Sequence, residues 1–323
     1  MGGAAGSCLR MQTVSRAAHR ALETLLESTV SAPRLKNQHP APYKISPMNP
    51  QDQVDLDRRF SSLSRLYGPD APRRFQDAHI AVAGLGGVGS WTVEALARCG
   101  IGALTLIDLD HIAESNVNRQ IHALTDTVGQ SKVDAMAERV LGINPACRLT
   151  RVDDFVSPEN VGEVLPGPYT VIIDCTDQAA AKIAMILHAR ALGVPMLLCG
   201  GAGGKTDPLA LRAGDLSAAV NDALLSKLRN KLRREHGFPR ASDKNGKALK
   251  RVPKMGVHAL WFDQPAILPD EWTRAGEMDD DMGVAAQAAA PQGLSCAGYG
   301  SVVTVTAAMG MAAANEALRL ALG

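Results

Sequence analysis

Residues 79–120 read HIAVAGLGGVGSWTVEALARCGIGALTLIDLDHIAESNVNRQ, and this stretch decides the fold. Its pattern predicts a short strand, a glycine-rich turn, a helix and a second strand that ends at Asp108. In such a unit, Gly84 permits the tight turn, Gly86 lets a phosphate approach the backbone, and Gly89 lets the helix pack closely. The helix N-terminus offers free N–H groups to phosphates. The stretch therefore predicts a nucleotide-binding unit, with Asp108 placed to bind a ribose hydroxyl.

Four polar residues follow the second strand within one short loop, namely Asp110, Asn116, Arg119 and Gln120. The glycine motif alone would favour NAD, but a nicotinamide-dependent dehydrogenase has no obvious need of this group. Carboxylates, an amide and an arginine beside a phosphate cradle suit a triphosphate, its Mg²⁺ and a phosphoryl centre that develops charge. The loop therefore favours ATP.

The rest of the chain continues the alternation of strands and helices. Further strands are predicted at residues 148–152, 169–174, 195–199 and 255–262. The continuous apolar run in the second of these is typical of a strand that is covered on both faces. The predicted fold class is therefore α/β, with a Rossmann-like, doubly wound, mainly parallel sheet, helices on both faces, and a C-terminal strand and helix.

The composition excludes several classes of protein. The 323 residues are 46% hydrophobic and 4% aromatic, which is ordinary for an α/β protein whose sheet is covered by helices. The net charge of +1 excludes a chain that is polybasic over its whole length. None of the six cysteines forms a C-x-x-C pair, so neither a zinc site nor a disulfide framework is expected. No membrane span and no signal peptide are visible, so a cytoplasmic location is expected.

Four ordered motifs carry a resemblance to a known family. GLGGVGS, LIDLDHIAESNVNRQ, VGQSK and DCTD resemble the adenylating domain of the ubiquitin-activating-like ATPases, which include the adenylyltransferases of molybdopterin and thiazole biosynthesis. RLYG at 65–68, residues 118–132 and 137–161, and GGAGGKTDP at 200–208 resemble the tRNA threonylcarbamoyladenosine dehydratases within that family. The narrower resemblance covers nearly all of residues 58–322.

The resemblance implies a site for ATP and Mg²⁺. Lys132 and Arg119 would contact the phosphates, and Asp177 would bind the metal, although Asp177 also suits the N-cap of the following helix. An arginine from the N-terminal segment of one subunit of a homodimer would reach the ATP of the other, with Arg65 the first candidate and Arg59 the second. The residues expected to bind the nucleotide are Gly84, Gly86, Gly87, Gly89, Asp108, Asp110, Asn116 and Gln120.

The resemblance also implies an activity. A substrate carboxylate would attack the α-phosphorus of ATP, and the acyl-adenylate would then cyclise with net loss of water. In the dehydratases the carboxylate belongs to threonylcarbamoyladenosine at position 37 of tRNA. The alternatives are activation of the C-terminal glycine of a ubiquitin-like sulfur-carrier protein, an NAD-dependent oxidoreductase, and a non-catalytic nucleotide-binding scaffold. A sulfur-transfer protein partner is left open.

A basic segment favours tRNA over a carrier protein. The pattern of residues 216–238 predicts an amphipathic helix, and residues 227–254 hold eleven basic residues against two acids in a chain of net charge +1. A solvated helix face is the alternative interpretation. The residues predicted to contact nucleic acid are Lys227, Arg229, Lys231, Arg233, Arg234, Lys250 and Arg251.

Three parts of the chain are expected. Residues 1–54 predict a poorly ordered, proline-rich extension, residues 55–214 the ATP-binding adenylating domain, and residues 215–323 a substrate-binding, tRNA-binding and dimerisation part of the same fold. A long loop is predicted at residues 263–293. Cys296 is a weak candidate nucleophile, because no histidine partner for it can be identified.

Overall fold

The computed structural model describes residues 54–243, 245–247, 249–268 and 299–323. Residues Val54–Gly323 form one compact unit. The predictions for the N-terminal extension, for most of the 263–293 loop and for Cys296 lie outside the described residues.

Seven strands form one sheet in the order β3-β2-β1-β4-β5-β7-β6. All neighbouring pairs are parallel except β6 and β7, which are antiparallel. The strands are β1 (His79–Ala83), β2 (Ala103–Ile107), β3 (Arg148–Val152), β4 (Val171–Asp174), β5 (Met196–Cys199), β6 (Leu211–Asp215) and β7 (His258–Phe262).

Helices cover both faces of this sheet. In chain order they are α1 (Leu56–Tyr67), α2 (Ala71–Asp77), α3 (Gly89–Arg98), α4 (Lys132–Ile143), α5 (Val161–Val164), α6 (Ala179–Leu192), α7 (Ala223–Glu235) and α8 (Val303–Leu322). Helices α3, α4 and α8 bury apolar side chains against one face. Helices α5, α6 and α7 cover the other face. The predicted fold class is therefore confirmed.

No helix in the described ranges is long and apolar enough to cross a membrane.

Near residue 215 the predicted start of one helix was wrong and one strand was not predicted. The helix begins at Ala223, because the Asp222 carboxylate accepts a hydrogen bond from the Leu225 amide at 2.8 Å and caps it there. Asn221, just before this cap, has φ = 55°, which no helix continues through. Strand β6 was missed, because its residues LRAGD lack the β-branched and aromatic side chains that favour strands.

The order of the strands defines a crevice between β1 and β4. The chain leaves β1 for β2 and β3 on one side and reaches β4 and β5 on the other, so the strand order reverses at this point. Ala83 and Asp174 are partners in the register of β1 with β4, and both strands end there. Ligands of open α/β sheets bind at such a reversal, beyond the carboxyl ends of the strands.

Candidate active site

The turn that follows β1 presents bare backbone. A Cβ on Gly89 would lie 1.8 Å from the Gly84 carbonyl oxygen, and a Cβ on Gly84, where φ is 83°, would lie 2.9 Å from the Cys175 backbone. A Cβ on Gly86 would meet no protein atom closer than the Gln120 amide nitrogen at 4.0 Å. Gly84 and Gly89 are therefore required for packing, whereas Gly86 faces open space that a ligand can enter.

The Asp108 side chain holds this turn in place. One carboxylate oxygen accepts a hydrogen bond from the Leu85 amide at 2.6 Å, and the other accepts one from the Asp110 amide at 2.9 Å. Burial raises the pKa of Asp108, while the Lys132 charge and the two amide donors oppose that rise. Asp108 therefore joins the end of β2 to the glycine turn.

Lys132 lies beside these aspartates at the start of α4. Its ammonium nitrogen is 2.6 Å from an Asp110 carboxylate oxygen and 3.8 Å from one of Asp108. The Lys132 side chain is only 7% exposed, although most lysines lie in solvent. The two carboxylates therefore hold the Lys132 ammonium in a fixed position at the start of α4.

The loop Asn116–Gln120 supplies the remaining polar groups. Asn116 accepts a hydrogen bond from the Ala113 amide at 3.1 Å and so shapes the loop itself. The stem of Arg119 packs beside Gly87, and its guanidinium donates to the Ser115 carbonyl at 2.7 Å. Gln120 is buried at 5% exposure, and its amide oxygen has no hydrogen-bond partner among the described residues.

Asp177 follows β4 on the other side of the crevice. It makes no hydrogen bond or ion pair with any residue that the structure describes. Helix α6 starts at Ala179, and its N-cap residue is Gln178, which forms no side-chain cap. The capping alternative for Asp177 therefore fails, and its half-buried carboxylate is left available for a ligand.

These features match a known family. The sequence matches the model of the ThiF family over residues 58–323. The chain belongs to the ThiF family. It is 42% identical to the tRNA threonylcarbamoyladenosine dehydratase of Escherichia coli strain K12 over 263 residues, which are 81% of this chain and 92% of that protein. It is 39% identical to the dehydratase of the same name from Haemophilus influenzae over 265 residues, 82% of this chain and 93% of that protein.

A solved structure agrees with these sequence matches. The crystal structure of the E. coli dehydratase in complex with ATP superimposes with a TM-score of 0.68 at 38% sequence identity. The match covers 83% of this chain and 95% of that one. The predicted family is therefore confirmed.

A buried ion pair beneath the ThiF crevice was not predicted. The Lys182 ammonium lies 3.1 Å from an Asp174 carboxylate oxygen, both side chains are 0% exposed, and Lys182 also donates to the Cys199 carbonyl. Thr176 donates its amide and hydroxyl to the other Asp174 oxygen. The pair connects β4, β5 and α6, and through Thr176 it holds the start of the loop that carries Asp177. A lysine within the apolar helix sequence AAAKIAMIL was the available signal.

Arg65 is not brought to the nucleotide crevice of its own chain. It is exposed on α1, and that helix packs near the amino ends of the strands, whereas the crevice lies beyond their carboxyl ends. The Phe60 ring lies 3.1 Å from where a Gly100 Cβ would stand, just before β2 begins. Arg59, the second candidate, donates to the Ile143 carbonyl at 2.6 Å and is occupied there.

The basic residues of α7 and the following segment fall into two groups. Arg229 donates to the Ala219 carbonyl at 2.6 Å, and Arg233 donates to the Pro239 carbonyl at 3.1 Å, so both stabilise their own segment. Lys231 is half-exposed and lies 3.8 Å from Glu235. The predicted nucleic-acid residues that remain exposed are Lys227, Arg234, Lys250 and Arg251.

Among the described residues, no group of three or more histidine, cysteine, aspartate or glutamate side chains is placed to hold a metal ion by itself. Mg²⁺ differs from zinc in this respect, because it is commonly held by one or two carboxylates together with substrate phosphates and water.

The buried His122 ring is expected to make the stability of the protein depend on pH. Burial, with the Lys132 and Arg139 charges, lowers its pKa from 6.5 to about 4, and neither ring nitrogen has a described hydrogen-bond partner. The folded state therefore binds this proton less readily than the unfolded state. With respect to this group, the free energy of unfolding has its full value above pH 6.5. It decreases as the pH falls towards 4, by about 3 kcal/mol at most.

The measurement is denaturant unfolding between pH 7 and pH 4. His122→Gln is expected to lose about 2–3 kcal/mol less than the parent across this range. His236→Gln, at the end of α7, is the control and should follow the parent. Parallel pH curves for the parent and His122→Gln would contradict the prediction.

Proposed function

We propose that this chain catalyses the ATP-dependent dehydration of threonylcarbamoyladenosine at position 37 of tRNA. The observation that carries the proposal is the Asp177 carboxylate, which has no partner among the described residues and lies in the loop after β4, at the end of the sheet where the glycine turn follows β1. The relatives that match most of the chain are named for this activity.

The crevice fits ATP. The open face of Gly86 and the N-terminus of α3 suit phosphate groups, since a helix N-terminus carries free N–H donors and a positive dipole end. The Gln120 amide oxygen is buried without a partner, and such an atom costs free energy unless a ligand satisfies it. Lys132 adds a positive charge that is already positioned.

The reaction proceeds in two steps. The substrate carboxylate attacks the α-phosphorus, forms an acyl-adenylate and releases pyrophosphate. A nucleophile within the same modified adenosine then attacks the activated carbonyl carbon, closes a ring and releases AMP. The net change in the nucleoside is the loss of one water. Lys132 and Arg119 stabilise the charge that develops on the phosphates.

Asp177 would hold Mg²⁺, with phosphate oxygens and water as the other ligands. When bound, the metal neutralises phosphate charge and polarises the phosphoryl group. Asp174 and Lys182 fix the loop that carries Asp177.

A homodimer is the proposed assembly. Arg65 has no hydrogen bond or ion pair with any described residue, and the adjacent Leu66 is 72% exposed. Because α1 packs near the amino ends of the strands and the crevice lies beyond their carboxyl ends, Arg65 would act on the ATP of the partner subunit, as an arginine finger does. A tRNA substrate also agrees with the expected cytoplasmic location.

The tRNA-binding surface proposed here is the exposed basic group Lys227, Arg234, Lys250 and Arg251. Beside it is a recess of about 570 Å³ lined by Asp215, Ser217, Ala218, Arg251, Val252, Pro253 and Lys254. Cations around an open recess suit the phosphate backbone of RNA, which supplies most of the salt-dependent affinity.

Removing positive charges from this surface is expected to change how the affinity for tRNA depends on salt concentration. The combined variant Lys227→Gln, Arg234→Gln and Arg251→Gln is expected to lower the slope of log affinity for tRNA against log salt by about 2 to 3. Filter binding or fluorescence anisotropy at several salt concentrations measures the slope. Arg73→Gln, an exposed arginine on α2, is the control and should leave it unchanged. An unchanged slope in the triple variant would exclude these residues from the interface.

The function itself is tested by nucleoside mass analysis of tRNA incubated with the protein, ATP and Mg²⁺. The expected result is a loss of one water from threonylcarbamoyladenosine together with AMP. An unchanged nucleoside mass, with AMP formed only when a small carrier protein ending in Gly-Gly is added, would instead support activation of a sulfur carrier. That activity would use the same ATP site but leaves the basic surface unexplained.

A further inference from the structure

Two cysteines lie side by side under the glycine turn. The parallel register of β4 and β5 pairs Asp174 with Leu198, and the next residues in each strand direction are Cys175 and Cys199. Their sulfur atoms are 3.8 Å apart. Neighbouring strands lie about 4.8 Å apart, within the range of Cα separations of about 4.4–6.8 Å that a disulfide spans.

The two thiols differ in access. Cys199 is buried, with 1% exposure, and Cys175 is half-buried at the end of β4. The contact with the Cys175 thiol, together with burial, raises the pKa of the Cys199 thiol. Cys175 is therefore the thiol that a small oxidant reaches first, and Cys199 is the thiol that resolves the oxidised sulfur.

We propose that Cys175 and Cys199 form an intramolecular disulfide when the protein meets a peroxide, and that this bond disables the nucleotide site. The Cys175 thiolate attacks one peroxide oxygen, breaks the O–O bond and becomes a sulfenic acid. The Cys199 sulfur then attacks the sulfenic sulfur and releases water. Overall, two thiols and one hydrogen peroxide give one disulfide and two waters.

The position of Cys175 explains why the bond would affect ATP. The Cys175 backbone is the surface against which Gly84 packs, at 2.9 Å from an added Cβ, and its Cβ lies 3.2 Å from where a Gly89 Cβ would stand. A disulfide has an S–S length of about 2.05 Å. Closing the gap therefore moves Cys175 towards β5, away from the glycine turn, together with the loop that carries Asp177.

The test oxidises the full-length protein with hydrogen peroxide, blocks free thiols with an alkylating agent, and maps the peptides by mass spectrometry. The expected product is a peptide pair linked through Cys175 and Cys199, two hydrogens lighter than the reduced pair. The affinity for ATP, measured by calorimetry, is expected to fall by about tenfold, which corresponds to about 1.4 kcal/mol, and to return on reduction with dithiothreitol.

Cys199→Ala should bind ATP normally and keep its affinity after peroxide treatment, whereas Cys147→Ala should respond as the parent does. Cys199→Val replaces Cys199→Ala if the smaller side chain destabilises the fold. Absence of the linked peptide, linkage of Cys175 to another cysteine, or unchanged ATP affinity in the linked protein would each overturn the proposal. The effect on catalysis rests on the proposed function, but the linked peptide and the ATP affinity do not depend on tRNA dehydration.

Discussion

Asp177→Asn is expected to reduce AMP formation and tRNA dehydration by about 10²–10³-fold, a typical loss when a preorganised electrostatic group is removed. Asn preserves the size and shape of the side chain but removes its charge. Because Asp177 pairs with nothing in the described structure, no stabilising contact is lost and the unfolding midpoint should stay unchanged. Single-turnover assays with ATP and modified tRNA, beside thermal unfolding, measure both quantities.

Asp77→Asn is the matched control for Asp177→Asn. Asp77 is an exposed aspartate on α2, 3.8 Å from Arg73, and exposed pairs of this kind contribute little. This control should retain full activity. If Asp177→Asn is as active as the control, the carboxylate does not act in catalysis. A lowered unfolding midpoint would instead assign Asp177 a structural role.

Lys182→Met is expected to destabilise the protein by about 3–5 kcal/mol, because it leaves the Asp174 carboxylate buried without a counter-charge. Burial already raises the pKa of Asp174, and loss of the lysine raises it further. The variant therefore gains a proton on folding. Its stability deficit should be smallest near the ordinary aspartate pKa of about 3.9 and grow as the pH rises through the raised folded value.

Urea unfolding of parent and variant at several pH values measures this deficit. Lys227→Met, at an exposed position of α7, is the control and should change stability by less than about 0.5 kcal/mol. The double variant Lys182→Met with Asp174→Leu should recover part of the loss, since removing both charges abolishes the desolvation cost. A pH-independent deficit would indicate lost packing and not an unpaired charge.

The sequence predicted the parts of the site that are local in the chain. The glycine turn, Asp108 and the Asn116–Gln120 loop fall within one strand–helix–strand unit, so their spacing alone indicates that they meet. Lys132 was found through its motif, and the structure adds its contacts with Asp108 and Asp110. The predicted roles of these residues at ATP remain predictions.

The sequence could not distinguish basic side chains that stay exposed to solvent from those that bind backbone groups within the fold. Arg229 and Arg233 look like their neighbours in a charged helix, yet their guanidinium groups bind backbone carbonyls of adjoining segments. Whether such a carbonyl is within reach depends on how the chain turns before and after α7. The basic surface is therefore narrower than the sequence suggests.

Short-range chemistry in the sequence by itself determined the α/β class, the family and the glycine cradle, because turn geometry, strand hydrophobicity and ordered motifs are encoded within a few residues of one another. Only the tertiary structure decided which groups are paired across strands. It placed Lys182 against Asp174 and Cys175 beside Cys199, and it left Asp177 unpaired. Those contacts depend on the register of β4 with β5 and on the packing of α6, which form only when the whole sheet assembles.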